Sequence, residues 1–159
     1  MVKKLIKTLI ILATGAAIGS SIISILKNKV INKETKRVEK FKEYYNLLNQ
    51  WVIVKQESKT IEKFFSDRDI QTIAIYGMGE LGNRFYDEIK NSSIKVVYAI
   101  DENAGNTYSE LNTVTLDDEL EKVDAIIVTA TFAYDDIESK LRNMVDYQII
   151  SLEDVIFEL

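Results

Sequence analysis

The chain has 159 residues and a net charge of −5, enough for one domain of ordinary size together with a shorter segment. It contains no cysteine and no histidine, which excludes disulfides, thiolate metal sites and histidine-based catalysis, and no metal cofactor is expected. Residues 1–57 carry 11 Lys and Arg against 4 Asp and Glu, a net +7, whereas residues 58–159 carry 9 against 21, a net −12. The acidic part argues against nucleic acid as a partner.

Residues 8–26 form an uncharged, mostly apolar run that follows a short basic segment at residues 1–7. At about 1.5 Å per residue the run nearly matches a hydrocarbon core of about 30 Å, so it is predicted to be a transmembrane anchor in contact with membrane lipid. A cleaved signal peptide is the alternative, but the run is longer than is usual there and a basic segment follows it at once. Seven Lys and Arg follow the run closely and three lysines precede it, which predicts a single-pass protein of the cytoplasmic membrane with its C-terminal domain in the cytoplasm.

Residues 27–69 are predicted to be a helical juxtamembrane linker with an amphipathic helix at residues 32–56. Its aromatic residues are either an interfacial belt or a face that packs against the domain or a partner helix. Trp51 lies too far along a straight helix to reach the headgroups, which favours packing. The apolar side chains that recur at intervals of three and four residues are Val38, Phe41, Tyr45, Leu48 and Val52.

Residues 70–159 alternate short apolar runs with helical stretches, which predicts an α/β domain with a parallel sheet and helices on both faces. The unbroken apolar run within residues 124–130 is typical of a central strand that is buried on both sides. The predicted strands are Thr72–Tyr76, Lys95–Ile100, Ala125–Ala130 and Gln148–Ser151, with a further short strand at Val114–Leu116. The predicted helices are Lys59–Phe65 with Ser58 as N-cap, Leu81–Lys90, Asp117–Leu120, Asp135–Met144 and Leu152–Phe157.

The first strand of this domain leads directly into a glycine-rich loop, Gly77-Met78-Gly79-Glu80-Leu81-Gly82. A predicted helix follows the loop, and Asp101 follows the second strand, 19 positions past Gly82. This order and spacing is typical of a βαβ unit that binds a dinucleotide. Asp101 would accept hydrogen bonds from ribose hydroxyls, and its charge would favour NAD over NADP.

Each glycine of the loop has an expected function. Gly77 would permit the tight turn, Gly79 would leave room for a pyrophosphate, and Gly82 would let the helix pack closely on the sheet. The alternative is a loop that keeps its glycines for packing alone, and Glu80 at the start of the helix would repel a phosphate. Thr129 lies near the end of the predicted central strand, at the edge where such sheets bind ligands, and is a candidate pocket residue.

Three stretches, Ile73–Gly82, Tyr98–Ala104 and Val123–Thr129, resemble a Rossmann-like module of bacterial surface-polysaccharide proteins. Similar modules stand at the C-terminus of sugar C-methyltransferases and at the N-terminus of membrane-bound nucleotide-sugar dehydratases and acetyltransferases. The resemblance covers roughly residues 70–156 and implies that the glycine loop and the Asp-x-Asn segment lie near a nucleotide or nucleotide-sugar. The resemblance implies Gly77, Gly79, Gly82, Asp101 and Asn103 as binding residues, and Met78 within the loop is a further candidate.

The catalytic domains of these relatives have no counterpart in the sequence, so no independent enzymatic activity is expected. The leading hypothesis is a membrane-anchored, cytoplasm-facing Rossmann-like protein that binds NAD or a nucleotide-sugar and assists cell-envelope polysaccharide assembly beside a protein partner or as a homo-oligomer. The alternative is an adaptor that docks a protein partner at the membrane without a small ligand. A small oxidoreductase ranks last because histidine is absent.

Overall fold

The computed structural model describes residues 2–104 and 110–159, with the side chains of residues 2, 3, 26–104 and 110–159. The chain divides into two compact units, Met1–Glu43 and Tyr44–Leu159. Helix α1 extends over Val2–Gln56. Among the residues described, no helix combines the length and the apolar character that crossing a bilayer requires. The predicted anchor at residues 8–26 falls almost wholly on residues whose side chains lie outside the description, and it stays a prediction.

The unit Tyr44–Leu159 is built on a five-stranded sheet. Its strands are β1 Thr72–Tyr76, β2 Lys95–Ile100, β3 Thr113–Val114, β4 Ala125–Val128 and β5 Gln148–Ser151. Every strand runs parallel to its neighbours, in the order β3-β2-β1-β4-β5. The predicted α/β class with a parallel sheet is therefore confirmed. The helices after α1 are α2 Ile61–Ser66, α3 Glu80–Ile89, α4 Tyr134–Leu141 and α5 Leu152–Phe157, with a 3-10 turn at Thr131–Ala133 before α4.

Both faces of the sheet are buried, which explains the unbroken apolar runs of its strands. On one face, Ile73, Ile75 and Ile127 pack with residues of α1, α2, α3 and α5. On the other face, β1 and β4 contribute alternate residues that pack with α4 through Ile137 and Leu141. Trp51 is 7 % exposed and belongs to the first of these clusters. Packing against the domain is therefore confirmed for Trp51, but not for Phe41 and Tyr45, which are 61 % and 69 % exposed.

Several predicted boundaries are wrong because local hydrogen bonds end or replace a helix. The helix predicted at Lys59–Phe65 with Ser58 as its N-cap begins at Ile61, and Thr60 takes the N-cap position. Ser58 instead has a positive φ of 58° in the turn that follows α1. No helix forms at Asp117–Leu120, because the Asp118 carboxylate accepts hydrogen bonds from the backbone N–H and the hydroxyl of Thr115. These bonds hold a turn in place of a helix.

The remaining corrections are shifts at element ends. The central strand, predicted to reach Ala130, ends at Val128. The short strand predicted at Val114–Leu116 begins one residue earlier and ends two residues earlier, at Thr113–Val114. Helix α3 begins at Glu80, one residue early. Helix α4 ends at Leu141, three residues short of Met144, where a turn bonds the N–H groups of Met144 and Val145 to the carbonyl of Leu141.

The carboxylate of Asp124, directly before β4, hydrogen-bonds to the start of β1. Oδ2 of Asp124 accepts hydrogen bonds from the backbone N–H of Gln71 at 3.0 Å, the backbone N–H of Thr72 at 2.8 Å and the hydroxyl of Thr72 at 2.8 Å. These bonds favour the charged carboxylate, and the two backbone donors contribute most to lowering the pKa of Asp124.

Replacing this carboxylate with an amide is expected to weaken the fold in a pH-dependent way. At pH 7, Asp124→Asn should lower the free energy of unfolding by about 1 kcal/mol, because the bonds lose their charged acceptor. The pKa of Asp124 is lowered in the folded state, so its contribution is complete above the unfolded pKa of about 3.9 and is lost as the pH falls through the folded value. Urea unfolding at pH 7 and pH 3 measures this, with Asp117→Asn as an exposed control. An equal loss of unfolding free energy at both pH values would show that the charge of Asp124 does not stabilise the fold.

Candidate functional site

The two central strands end beside each other, and the chain then leaves them toward opposite faces of the sheet. β1 lies between β2 and β4. Helix α3, which follows β1, packs on the face that carries Ile73 and Ile75. Helix α4, which follows β4, packs on the face that carries Ala74 and Tyr76. Because the two connections diverge, a crevice opens at the carboxyl ends of β1 and β4, which is the place where parallel α/β sheets bind ligands.

Two glycines give the loop after β1 its shape. Gly77 has a positive φ of 94°, a conformation that other residues rarely adopt, and its N–H donates to the carbonyl of Ile100 at 2.8 Å. A Cβ on Gly82 would stand 2.0 Å from the carbonyl oxygen of Gly77. Helix α3 therefore lies against the loop at a distance that only glycine at this position permits.

The third glycine of the loop, Gly79, faces open space. It is the N-cap of α3 with φ −74° and ψ −162°, and a Cβ added there would meet no atom within 4 Å. The backbone N–H groups of Gly79, Glu80 and Leu81 donate to no acceptor within residues 2–104 and 110–159. Together with the positive end of the α3 dipole, these donors suit an anionic group. The exposed carboxylate of Glu80 opposes such a group.

Asp101, directly after β2, is joined to the glycine loop by hydrogen bonds. Its Oδ2 accepts from the backbone N–H of Met78 at 2.8 Å, and its Oδ1 accepts from the backbone N–H of Asn103 at 2.9 Å. The Met78 side chain is buried in the core. A carboxylate offers about four lone-pair positions, so Asp101 keeps capacity for further donors. The predicted proximity of Asp101 to the loop is thus present in the structure.

The side chains of Thr129 and Asn83 also hydrogen-bond to backbone carbonyls of the loop. Thr129 is buried, and its hydroxyl donates to the carbonyl of Gly77 at 2.5 Å, so this candidate pocket residue supports the loop. The side-chain amide of Asn83 donates to the carbonyls of Met78 and Gly79 at 2.9 and 3.0 Å. The sequence reasoning missed Asn83, although a polar residue directly after the last glycine is a usable signal.

The crevice contains a cleft of about 330 Å³. Its charged side chains are Asp101, Glu102, Asp136 and Lys140, three carboxylates against one cation. This balance disfavours additional phosphate groups and suits donors such as sugar hydroxyls. The remaining lining residues are Tyr76, Gly77, Asn103, Ala130, Phe132, Ala133 and Ile137. Among these, Tyr76, Phe132, Asp136 and Lys140 were not predicted from the sequence.

Tyr76, the last residue of β1, is the most buried polar side chain of the cleft. It is 6 % exposed. Burial, and then the negative charges of Glu102 and Asp101, raise the pKa of Tyr76, so its hydroxyl stays protonated at neutral pH. At the rim of the cleft, Phe132 is 48 % exposed and makes an edge contact with Tyr44, with ring centroids 6.2 Å apart.

No group of three or more acidic, histidine or cysteine side chains in the described ranges is arranged to hold a metal ion. The family described as C2185-like, N-terminal, matches residues 69–153, which is more than half of the chain and includes the whole glycine loop and the cleft. No curated protein and no solved structure matches the chain.

Proposed function

The chain belongs to the C2185-like, N-terminal family, and we propose that it binds NAD or a nucleotide-sugar at the carboxyl edge of its sheet. The observation that carries the proposal is the bond between the Asp101 carboxylate and the N–H of Met78, at 2.8 Å, beside an open cleft. It supports the proposal because it joins a carboxylate that would accept from ribose hydroxyls to a loop that would bind phosphates of the same ligand.

Three features of the site support this proposal. The strand order β3-β2-β1-β4-β5 matches that of dinucleotide-binding Rossmann sheets, with the crevice at the point where the order reverses. Gly79 leaves the first turn of α3 open to a pyrophosphate, and the donors of that turn have no acceptor in the described chain. Asp101 and Glu102 line the cleft on the side of β2, and Asp101 would accept hydrogen bonds from ribose hydroxyls.

Isothermal titration of the full chain, purified in a mild detergent, tests the proposal with NAD, NADP and UDP-glucose. We expect heat of binding with NAD or UDP-glucose. NADP should bind at least about tenfold more weakly than NAD, because its 2′-phosphate would meet two carboxylates without a paired cation. No heat with any of the three at millimolar concentration would refute the proposal.

Gly79→Val provides the matched variant for this titration. The branched side chain would fill the open space at the start of α3 and block a pyrophosphate there. Because no atom lies within 4 Å of the added Cβ, the fold should tolerate the change. Binding should therefore disappear while the urea midpoint stays close to that of the parent chain. Binding that survives in Gly79→Val would place the ligand away from the loop.

An adaptor is the second candidate function, and an apolar groove between α1 and α3 favours it. The groove has a volume of about 660 Å³ and is lined in part by Leu48, Val52 and Arg84. Leu48 and Val52 are 44 % and 54 % exposed. Exposed apolar side chains in such a row suit the apolar face of a partner helix. If Leu48→Glu abolishes co-purification of a partner that Gly79→Val retains, and neither protein binds a nucleotide, the adaptor replaces the binding proposal.

The cellular setting is part of the same proposal. A single-pass anchor at residues 8–26 would hold the domain at the cytoplasmic face of the membrane, where polysaccharide precursors carried on nucleotides are available. The uncharged run and the basic flank that follows it support the anchor. The assignment to polysaccharide assembly is supported by the sequence resemblance.

A further inference from the structure

One tyrosine that lines the cleft has a largely enclosed ring and a hydroxyl without a hydrogen-bond partner in the described chain. Tyr76 and Tyr98 are buried on the face of the sheet that α4 covers, and Tyr134 and Tyr147 pack there partly buried. Tyr98 donates its hydroxyl to the carbonyl of Glu121 at 2.9 Å, and Tyr134 donates to the carbonyl of Ile149 at 3.0 Å. No described residue pairs with the hydroxyl of Tyr76, although this side chain is 6 % exposed. The hydroxyl of an enclosed tyrosine normally pairs with a protein group, water or a ligand.

The position of Tyr76 indicates where its partner comes from. Tyr76 stands at the end of β1, directly before Gly77, and lines the cleft together with Asp101 and Glu102. The pKa of Tyr76 is raised, so the hydroxyl remains a donor at neutral pH. Because no described residue pairs with this hydroxyl, it is available to donate to an acceptor that enters the cleft.

The charges of the cleft restrict the kind of acceptor. Asp101, Glu102 and Asp136 face a single cation, Lys140, so a phosphate at the floor of the cleft would be repelled. A sugar ring suits the site because its hydroxyls donate to the carboxylates while one of its oxygens accepts from a neutral hydroxyl. The phosphates of the same ligand would lie at the first turn of α3, outside the acidic cleft.

We propose that the Tyr76 hydroxyl contacts the ligand directly, donating a hydrogen bond to an oxygen of the sugar portion of the nucleotide held in the cleft. This inference rests on the proposed binding function. It adds a specificity residue that the glycine-loop pattern does not contain, and it assigns the cleft to the sugar and the loop to the phosphates. A ligand whose sugar oxygen is missing or blocked should bind more weakly.

Tyr76→Phe removes the hydroxyl and keeps the ring that fills the core. The affinity of the full chain for NAD or UDP-glucose, whichever binds, should fall about three- to tenfold in isothermal titration, the usual effect of one neutral hydrogen bond. The urea midpoint should not fall, because the hydroxyl has no partner in the described protein to lose. Tyr98→Phe is the control: it removes a bond to the Glu121 carbonyl away from the cleft, so stability should fall and affinity should not.

The outcomes separate this inference from the function on which it rests. If the parent chain binds neither NAD nor UDP-glucose, the proposed function fails and the inference fails with it. If the parent chain binds and Tyr76→Phe binds equally well, the proposed function stands and the contact with Tyr76 is refuted. If Tyr76→Phe loses affinity and stability together, as Tyr98→Phe loses stability, the hydroxyl serves the fold and the inference is again refuted.

Discussion

Gly82→Ala should destabilise the protein by about 3 kcal/mol or more, although alanine is the better helix former by about 1 kcal/mol. Gly82 lies in the first turns of α3, where helix propensity alone predicts a gain. The added Cβ would stand 2.0 Å from the carbonyl oxygen of Gly77. That oxygen already accepts the Thr129 hydroxyl at 2.5 Å, and its backbone is held by the positive φ of Gly77. The loop cannot move aside without breaking these contacts, so the steric clash of the added Cβ outweighs the higher helix propensity of alanine.

Urea unfolding of the full chain measures this effect through the fluorescence of Trp51, the one tryptophan of the sequence. Its indole N–H donates to the Glu88 carboxylate at 2.8 Å, so unfolding changes its environment. Gly79→Ala is the control in the same loop. Its Cβ meets nothing within 4 Å, and the cost of alanine at an N-cap stays below about 1 kcal/mol. Equal losses in the two variants would show that α3 does not pack on the loop as described.

Asp101→Asn should reduce the affinity for NAD or UDP-glucose by at least about tenfold, because it removes a charged acceptor from both the loop and the ligand. The two oxygens of Asp101 accept from two different backbone groups, Met78 N–H and Asn103 N–H. An asparagine has one acceptor oxygen, and its NH2 would face one of these donors. We therefore also expect a loss of stability of about 1–2 kcal/mol.

Glu102→Gln is the matched variant for this measurement. Glu102 lines the same cleft and is exposed. If Asp101 acts through its hydrogen bonds, Glu102→Gln should change the affinity less than about threefold, because an exposed charge is screened by solvent. Titration calorimetry of both variants decides this. A similar loss in the two variants would mean that the cleft binds its ligand through charge and that the bonds of Asp101 are incidental.

Much of the fold could be predicted because the relevant signals are local. Strands β1, β2 and β5 begin and end at the predicted residues, and the class follows from the alternation of strands and helices. The errors occurred where a side chain competes with the backbone for hydrogen bonds, as Asp118 does in the turn that replaced a predicted helix. Such competition depends on geometry that periodicity does not contain.

The candidate site divides in the same way. Gly77, Gly82 and Asp101 could be predicted because the spacing of the glycines and the position of Asp101 after the second strand can be read from the sequence. The structure brings all three residues together. Tyr76 and Lys140 were missed because nothing in their own neighbourhoods distinguishes them, and Asn83 was missed although its position directly after the last glycine is a usable signal. They reach the loop and the cleft only because α3 and α4 leave the sheet on opposite faces.

By itself, the amino-acid sequence determined the parallel α/β class, the glycine loop and the acidic residue that follows the second strand. These depend on period-two and helical patterning and on the tolerance of glycine for unusual backbone angles, which are properties of short segments. Only the tertiary structure showed that the Thr129 hydroxyl bonds to the loop and that no atom lies within 4 Å of a Cβ on Gly79. It also showed that Tyr76 lines the cleft and that its hydroxyl has no partner in the described chain. Burial and hydrogen-bond pairing arise between residues distant in the chain, and so they emerge only when the sheet is assembled.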